Sequence, residues 1–220
     1  QYVAGEVINL SGAVPATGWQ ISGWSGTDNN AGTTGINTVT MPAGAHGSSV
    51  IYTLLPPVCT GILYVDADST AVTPNGCSWS WAFRTLQDAL AVAPASGNAI
   101  WVAEGTYYPD EGAGQSNDDR SSTFLLENGV TIYGGFAGTE TLLTQRNISL
   151  HVTTLSGDID QVTGDANNAY HVVSAYSLAS SAVLDGFTIT AGNSNGGTGH
   201  GGGVYIQDAS PALTNLVISD

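Results

Sequence analysis

Carboxylates are the side chains numerous enough to do chemistry in this sequence: eighteen acidic residues face three basic ones, Arg84, Arg120 and Arg146, and no lysine is present. Carboxylate and amide oxygens gathered at turns are the donor set of a hard cation such as Ca²⁺. Asp158-Ile159-Asp160, followed by Asp165 and Asn167-Asn168, offers such oxygens, and Asp158, Asp160 and Asp165 are the residues that would carry the metal. The segment departs from an EF-hand loop, because Val162 and Thr163 stand where a ligand and a glycine are needed. Solvated turn residues that close Asx bonds are the simpler account. Asp66-Ala67-Asp68 is a smaller cluster of the same kind. Glu111 and Asp118-Asp119 fall in a Gly-, Ser- and Asn-rich stretch between Tyr108 and Phe124 that reads as a mobile surface loop.

Cleaving a uronate polysaccharide by elimination needs an Arg or Lys base near a cation-held carboxylate, and hydrolysis needs convergent carboxylates. Arg84 falls on an expected helix, Arg120 stands beside two aspartates where ion pairing is the simpler explanation, and Arg146 reads as structural. None of His46, His151, His171 and His200 has a partner at the spacing of a triad or a metal pair. His171 sits in a strand pattern, and the glycines around His200 suit tight turning better than phosphate binding. Trp19, Trp24, Trp79, Trp81 and Trp101 lie in motifs that fit core or cap positions, which leaves a sugar-stacking surface as a secondary possibility. The expectation is a non-enzymatic protein with no required cofactor, calcium being the one candidate. Asn9-Leu10-Ser11 and Asn147-Ile148-Ser149 match the glycosylation acceptor pattern, a signal of little weight in an Asn- and Ser-rich chain.

These residues need a frame, and composition suggests an all-β one. Twenty-nine glycines, many Thr, Ser and Asn, and one credible helix point to short strands joined by tight turns. A net charge of −15 excludes nucleic acid or an anionic membrane surface as a partner through a basic patch. No run of eighteen apolar residues offers a membrane span. Cys59 and Cys77 stand eighteen positions apart across a turn-rich stretch, which suits a disulfide formed in an oxidising compartment; two buried free thiols are the alternative. The expected location is extracellular or at a cell surface.

Two regions follow, with a boundary at Leu54-Leu55-Pro56-Pro57, because consecutive prolines cannot continue a ladder. Residues 1–57 show short alternating segments broken by Gly and Pro, the pattern of a small β-sandwich. In residues 58–220, Ile62-Leu63-Tyr64-Val65 and Ala99-Ile100-Trp101-Val102-Ala103 read as strands, and Glu104 to Tyr107 as a turn. Ser80 to Ala93 reads as a helix with Ser80 as N-cap, Phe83, Leu86 and Leu90 on one face, and a stop at Pro94.

The Gly18-Trp19 to Asp28 segment, with Asn37-Thr38-Val39-Thr40-Met41-Pro42, resembles the small immunoglobulin-like repeats of bacterial surface proteins of the internalin B-repeat type. The order Leu63-Tyr64-Val65-Asp66, Ser78 to Phe83, Leu86 to Leu90 and Ile100 to Tyr107 resembles the entry cap of bacterial pectin-lyase-like proteins. The likeness continues through Val130 to Phe136, Leu155 to Asp160, Tyr170 to Val173 and Leu184 to Ile189. It implies a right-handed parallel β-helix with an entry cap at 62–108 and one capping helix. That architecture serves adhesins, polymorphic outer-membrane proteins and polysaccharide lyases alike.

A repeat is visible without the resemblance. Gly129-Val130-Thr131-Ile132, Gly186-Phe187-Thr188-Ile189 and Asn215-Leu216-Val217-Ile218 share a pattern at spacings of 57 and 29, with Gly157 near the intermediate step. The last repeat carries no cap, so the rod is expected to continue beyond 220 or to meet a neighbour. The expected role is structural or adhesive, a subunit of a filament or surface assembly being one form of it, with neighbouring copies or adjacent domains of the same protein, and surface glycans, as partners. A pectin-lyase-like enzyme and a carbohydrate-binding module are the alternatives.

Overall fold

The computed structural model describes residues 2–16, 19–54, 59, 61–93, 99–178, 181–195 and 200–219. Gly18 of the Gly-Trp motif, the Leu55-Pro56-Pro57 linker, Pro94 and Gly196 to Gly199 of the glycine loop lie outside them. The chain divides into two compact units, Gln1–Pro57 and Val58–Asp220.

The first unit holds two antiparallel pairs. Strand β1 (Val7–Leu10) pairs with β3 (Asn37–Thr40), and β2 (Trp19–Ser25) pairs with β4 (Ser49–Leu54), with a bulge between Ile21 and Gly23. Ile21, Trp24 and Val39 are its buried apolar residues, and the Trp24 indole N–H donates to the Thr34 carbonyl at 3.2 Å. Trp19 is exposed, contrary to the core position expected for it, because it lies at the end of β2.

The second unit is an all-β parallel β-helix. Its strands are β5 (Ile62–Val65), β6 (Ala99–Ala103), β7 (Gly105–Tyr107), β8 (Phe124–Leu125), β9 (Thr131–Phe136) and β10 (Thr153–Ser156). They continue as β11 (Val173–Tyr176), β12 (Val183–Asp185), β13 (Thr188–Thr190), β14 (Val204–Gln207), β15 (Ala212–Thr214) and β16 (Val217–Ile218). Three parallel sheets result, ordered β15-β12-β9-β6-β5, β16-β13-β10-β7 and β14-β11-β8. The full coils β6-β7-β8, β9-β10-β11 and β12-β13-β14 each contribute one strand to each face, with β5 before them and β15 and β16 after.

A short strand buries one or two side chains, so stability comes from stacking like on like. The register makes an aliphatic ladder of Leu63, Ile100, Ile132, Leu184 and Leu213 on the first face. Tyr107, Leu155, Ile189 and Ile218 form a second ladder, and Phe124, Val173 and Val204 a third. Gly105 to Tyr107, read as a turn from sequence, is a strand because its backbone pairs with β10.

The register also corrects the repeat. The 29-residue step from Gly186 to Asn215 is real, since Ile189 pairs with Ile218. Ile132 stacks instead on Leu184, so the Gly129 motif belongs to a different face from the other two. Gly157 follows β10 and comes level with Ala191, against whose carbonyl it packs; it opens no equivalent strand.

The helix is shorter than its apolar spacing suggests. Phe83 donates its N–H to the Tyr64 carbonyl at 2.9 Å and accepts from Asp66 N–H at 2.8 Å, a bridge to β5 that keeps the residues before Thr85 out of the α-helix. Ser80 lies in a single 3₁₀ turn, Trp79–Trp81. Helix α1 (Leu86–Val92) starts at Thr85, whose Oγ1 accepts from Asp88 N–H at 3.2 Å, and turns Leu86, Gln87, Ala89 and Leu90 inward against β5 and β8.

Gly76 allows this cap to close. It takes a left-handed φ of +73°, and a Cβ there would enter the Phe83 ring. Gly76→Ala is expected to cost about 1–3 kcal/mol through overpacking and backbone strain, read as a lowered urea midpoint.

Candidate functional site

The arginines are the side chains whose placement says most about function. Arg84, just before α1, donates Nε to the Ser69 carbonyl at 2.8 Å and Nη2 to the Ala71 carbonyl at 2.6 Å. Arg120 donates Nε to the Asn168 carbonyl at 2.6 Å and Nη2 to the Asn193 carbonyl and to Asn195 Oδ1, with its guanidinium 4.3 Å from the Tyr170 ring centroid. Its partners are amide oxygens and not the neighbouring Asp118 and Asp119, as sequence adjacency suggested. Asp119 is taken up by Ser121 N–H and Oγ. Arg146 bridges adjacent coils, from the Gly134 carbonyl on β9 to the carbonyl and carboxylate of Asp185 on β12, the ion pair measuring 2.7 Å.

Arg146 and Asp185 sit beside a groove of about 570 Å³ lined by Asn147, Ile148, Val152, Phe187 and Val217. Burial disfavours the Asp185 charge, but bonds from Asn215 (2.7 Å) and Arg146 outweigh it and hold the carboxyl below its ordinary value of 3.8. A depressed folded-state pKa contributes stability that is full above the unfolded value and is lost as pH falls through the folded one. Asp185→Asn is therefore expected to lower the denaturation midpoint at neutral pH, with the gap from the unaltered chain closing in acid below 3.8. Paired urea titrations at the two pH values read this directly.

The acidic candidates separate. Asp160 accepts from Val162 N–H and from Asn167 Nδ2 at 2.8 Å, and the exposed Asp165 accepts through its backbone carbonyl from Asn168 N–H and Asn193 Nδ2. Asp158 is half-buried with one carboxylate oxygen, Oδ1, unpartnered. Asp66 closes an Asx turn with Asp68 N–H; burial, aided by the charges of Asp68 and Glu104, raises its pKa. The 108–123 stretch is not simply a surface loop: Gln87 Nε2 holds the Pro109 and Thr123 carbonyls, and Asp110 is only 3% exposed. Among the described residues no group of three or more His, Cys, Asp or Glu gathers to hold a metal ion.

Cys59 and Cys77 form a disulfide. Trp79, Tyr64, Trp101 and Phe136 pack together on the outer side of the first face, with the Trp79 indole N–H donating to the Glu140 carbonyl at 2.9 Å. Trp81 is exposed, not packed in the cap. On the third face His171 and His200 both stack on Tyr205, at centroid distances of 4.7 and 5.5 Å, and Tyr176 meets it edge-on. Sequence reading missed this group because its members lie on two coils, 171–176 and 200–205. The signal was a shared register, Val173 opposite Val204.

Three parallel sheets wound from successive coils, with a capping helix at the start, define a parallel β-helix protein. The chain belongs to the family described as "Protein of unknown function (DUF1565)", whose model matches residues 72–220. No curated protein and no solved structure matches it. No helix among the described residues is long and apolar enough to cross a membrane.

Proposed function

We propose that the chain is a non-enzymatic structural or adhesive part of an extracellular or cell-surface protein. In this reading a β-helix rod follows a small immunoglobulin-like module and engages neighbouring copies or adjacent domains of the same protein. The observation that carries the reading is the use of the arginines. The three cationic side chains able to serve as a lyase base are each committed to carbonyls or to a partly buried carboxylate within the fold. A base must reach a substrate proton, whereas Arg120 and Arg146 are spent on holding coils together and Arg84 on holding the 69–71 turn of the cap. The disulfide and the lysine-free acidic surface accord with life outside the cell.

One observation favours a glycan-binding surface within the same role. Tyr176 and Tyr205, with His171 and His200, form a cluster at the solvent side of β11 and β14 of the kind on which sugar rings stack.

The test joins location with turnover. Antibody labelling of intact producing cells is expected to find the protein outside, and the purified chain is expected to leave acidic polysaccharides uncleaved with or without calcium. Turnover that survives purification and disappears in Arg146→Ala would overturn the structural reading in favour of a pectin-lyase-like enzyme. Glycan-array binding abolished by Tyr205→Ala would establish the adhesive form.

A further inference from the structure

Among the described residues, three buried side-chain oxygens lack a hydrogen-bond partner: Asp110 Oδ1, Asp158 Oδ1 and Asn168 Oδ1. Asp110 and Asn168 are 3% and 4% exposed. All three atoms are acceptors, and a buried acceptor without a donor is a cost that native folds rarely leave standing.

The three residues belong to one corner of the coil. Tyr107 pairs with Leu155, and Gln161 Nε2 donates to Glu111 Oε1 at 3.2 Å, so the short segments that carry Asp110 and Asp158 are tied together at both ends in adjacent coils. Ala169 N–H donates to the Gly157 carbonyl at 2.8 Å, which sets Asn168 beside Asp158. The remaining groups are already engaged: Asp118 N–H holds the other Asp110 oxygen at 2.9 Å, and Arg120 holds the Asn168 backbone carbonyl. No lysine exists, and the Arg120 side chain bonds amide oxygens, so among the described residues no protein cation is bonded to either carboxylate.

We infer that Asp110, Asp158 and Asn168 form an oxygen-donor site for a hard divalent cation of the calcium class, joining two adjacent coils. Two carboxylates and an amide oxygen match the preference of Ca²⁺ for mixed oxygen ligands in adaptable geometry, with carbonyls and waters to complete the shell. The absence of nitrogen or sulfur donors argues against zinc. The set has two carboxylates, so it differs from a cluster of three acids, and it shares only Asp158 with the trio that the sequence suggested. A cation here would pin the 108–123 and 157–172 excursions to the coil, a structural role that stands apart from the functional proposal above.

The experiment is calorimetric titration of the chelator-treated full chain with calcium chloride, paired with thermal unfolding in calcium and in chelator. Saturable one-site binding and a higher melting temperature in calcium are expected. Asp110→Asn and Asp158→Asn should each weaken binding by roughly tenfold or more, since ligand charge sets calcium affinity. Asp160→Asn and Asp165→Asn should leave it within about twofold, as neither contributes to the set. Should the first two variants fail to fold, Asn168→Asp gives the opposite sign, tightening calcium binding by adding a third carboxylate. The inference is overturned by an absence of both heat and melting shift in the full chain. It is overturned equally by binding that depends on Asp160 or Asp165 instead, or by an Asn168→Asp variant with unchanged affinity.

Discussion

Ile132→Ala is expected to destabilise the protein by about 2–5 kcal/mol, the largest effect of any single change considered. Ile132 is 1% exposed and lies mid-ladder, with Ile100 below it and Leu184 above. Removing its side chain breaks two contacts at once. The backbone ladders on both sides hold the neighbouring strands at a fixed spacing, so the space cannot close by collapse. Ile132→Val, which removes one methyl, should cost about 0.5–1.5 kcal/mol. Leu213→Ala should cost less than Ile132→Ala, because Leu213 is only partly buried and its pairing is with Leu184. Urea titrations followed by tryptophan fluorescence would rank the three. Equal losses at Ile132 and Leu213 would show that stacking is not what stabilises the coil.

Removing the disulfide by Cys59→Ser with Cys77→Ser is expected to cost about 3 kcal/mol. The bond joins residues eighteen apart, and for a loop of that size the constraint on the unfolded chain accounts for a loss of this order. The closed loop contains β5 and the Asn75-Gly76 turn, whose N–H groups donate to the Trp81 carbonyl at 3.0 and 2.8 Å. Opening it therefore loosens the segment that leads into α1. A reductant should lower the midpoint of the unaltered chain and leave that of the double variant unchanged. A midpoint insensitive to reductant would mean that the cap holds without the bond.

Sequence disclosed the kind of fold because its signals are local. Glycine-punctuated short apolar runs led to an all-β chain, the resemblance of the cap motifs and the repeat led to a coil, and β5 and β6 fall at Ile62–Val65 and Ala99–Ala103 as their residue patterns suggested. What stayed hidden was set by pairing at a distance. The helix begins at Thr85 because Phe83 is held by β5, a bond between residues nineteen apart that periodicity cannot register. The Gly129 and Gly186 motifs look alike because each opens a strand after a bend, and one strand with one inward side chain carries no mark of its face. Only the stacking of Ile132 on Leu184 reveals it.

The candidate sites divide in the same way. Asp158 was visible as one carboxylate in a dense turn, whereas Asp110 lay in a stretch whose composition suggested solvent. Burial of that stretch depends on Gln87, a polar residue of α1 that reaches two carbonyls from inside. Asp185 gave no sequence sign of its role, since its partner Arg146 is 39 positions away.

The central claim, that successive coils stack in this register and that Arg146 and Arg120 are spent holding them, is tested most directly by cysteine trapping. Thr154 and Thr188 are direct partners in adjacent coils, whereas Thr131 and Thr188 are equivalent only in the sequence repeat. Oxidation of Thr154→Cys with Thr188→Cys should yield a second intramolecular disulfide, mapped by mass spectrometry of peptides. Thr131→Cys with Thr188→Cys should remain as thiols. Cross-linking of the 131 and 188 pair, with none between 154 and 188, would contradict the coil described here.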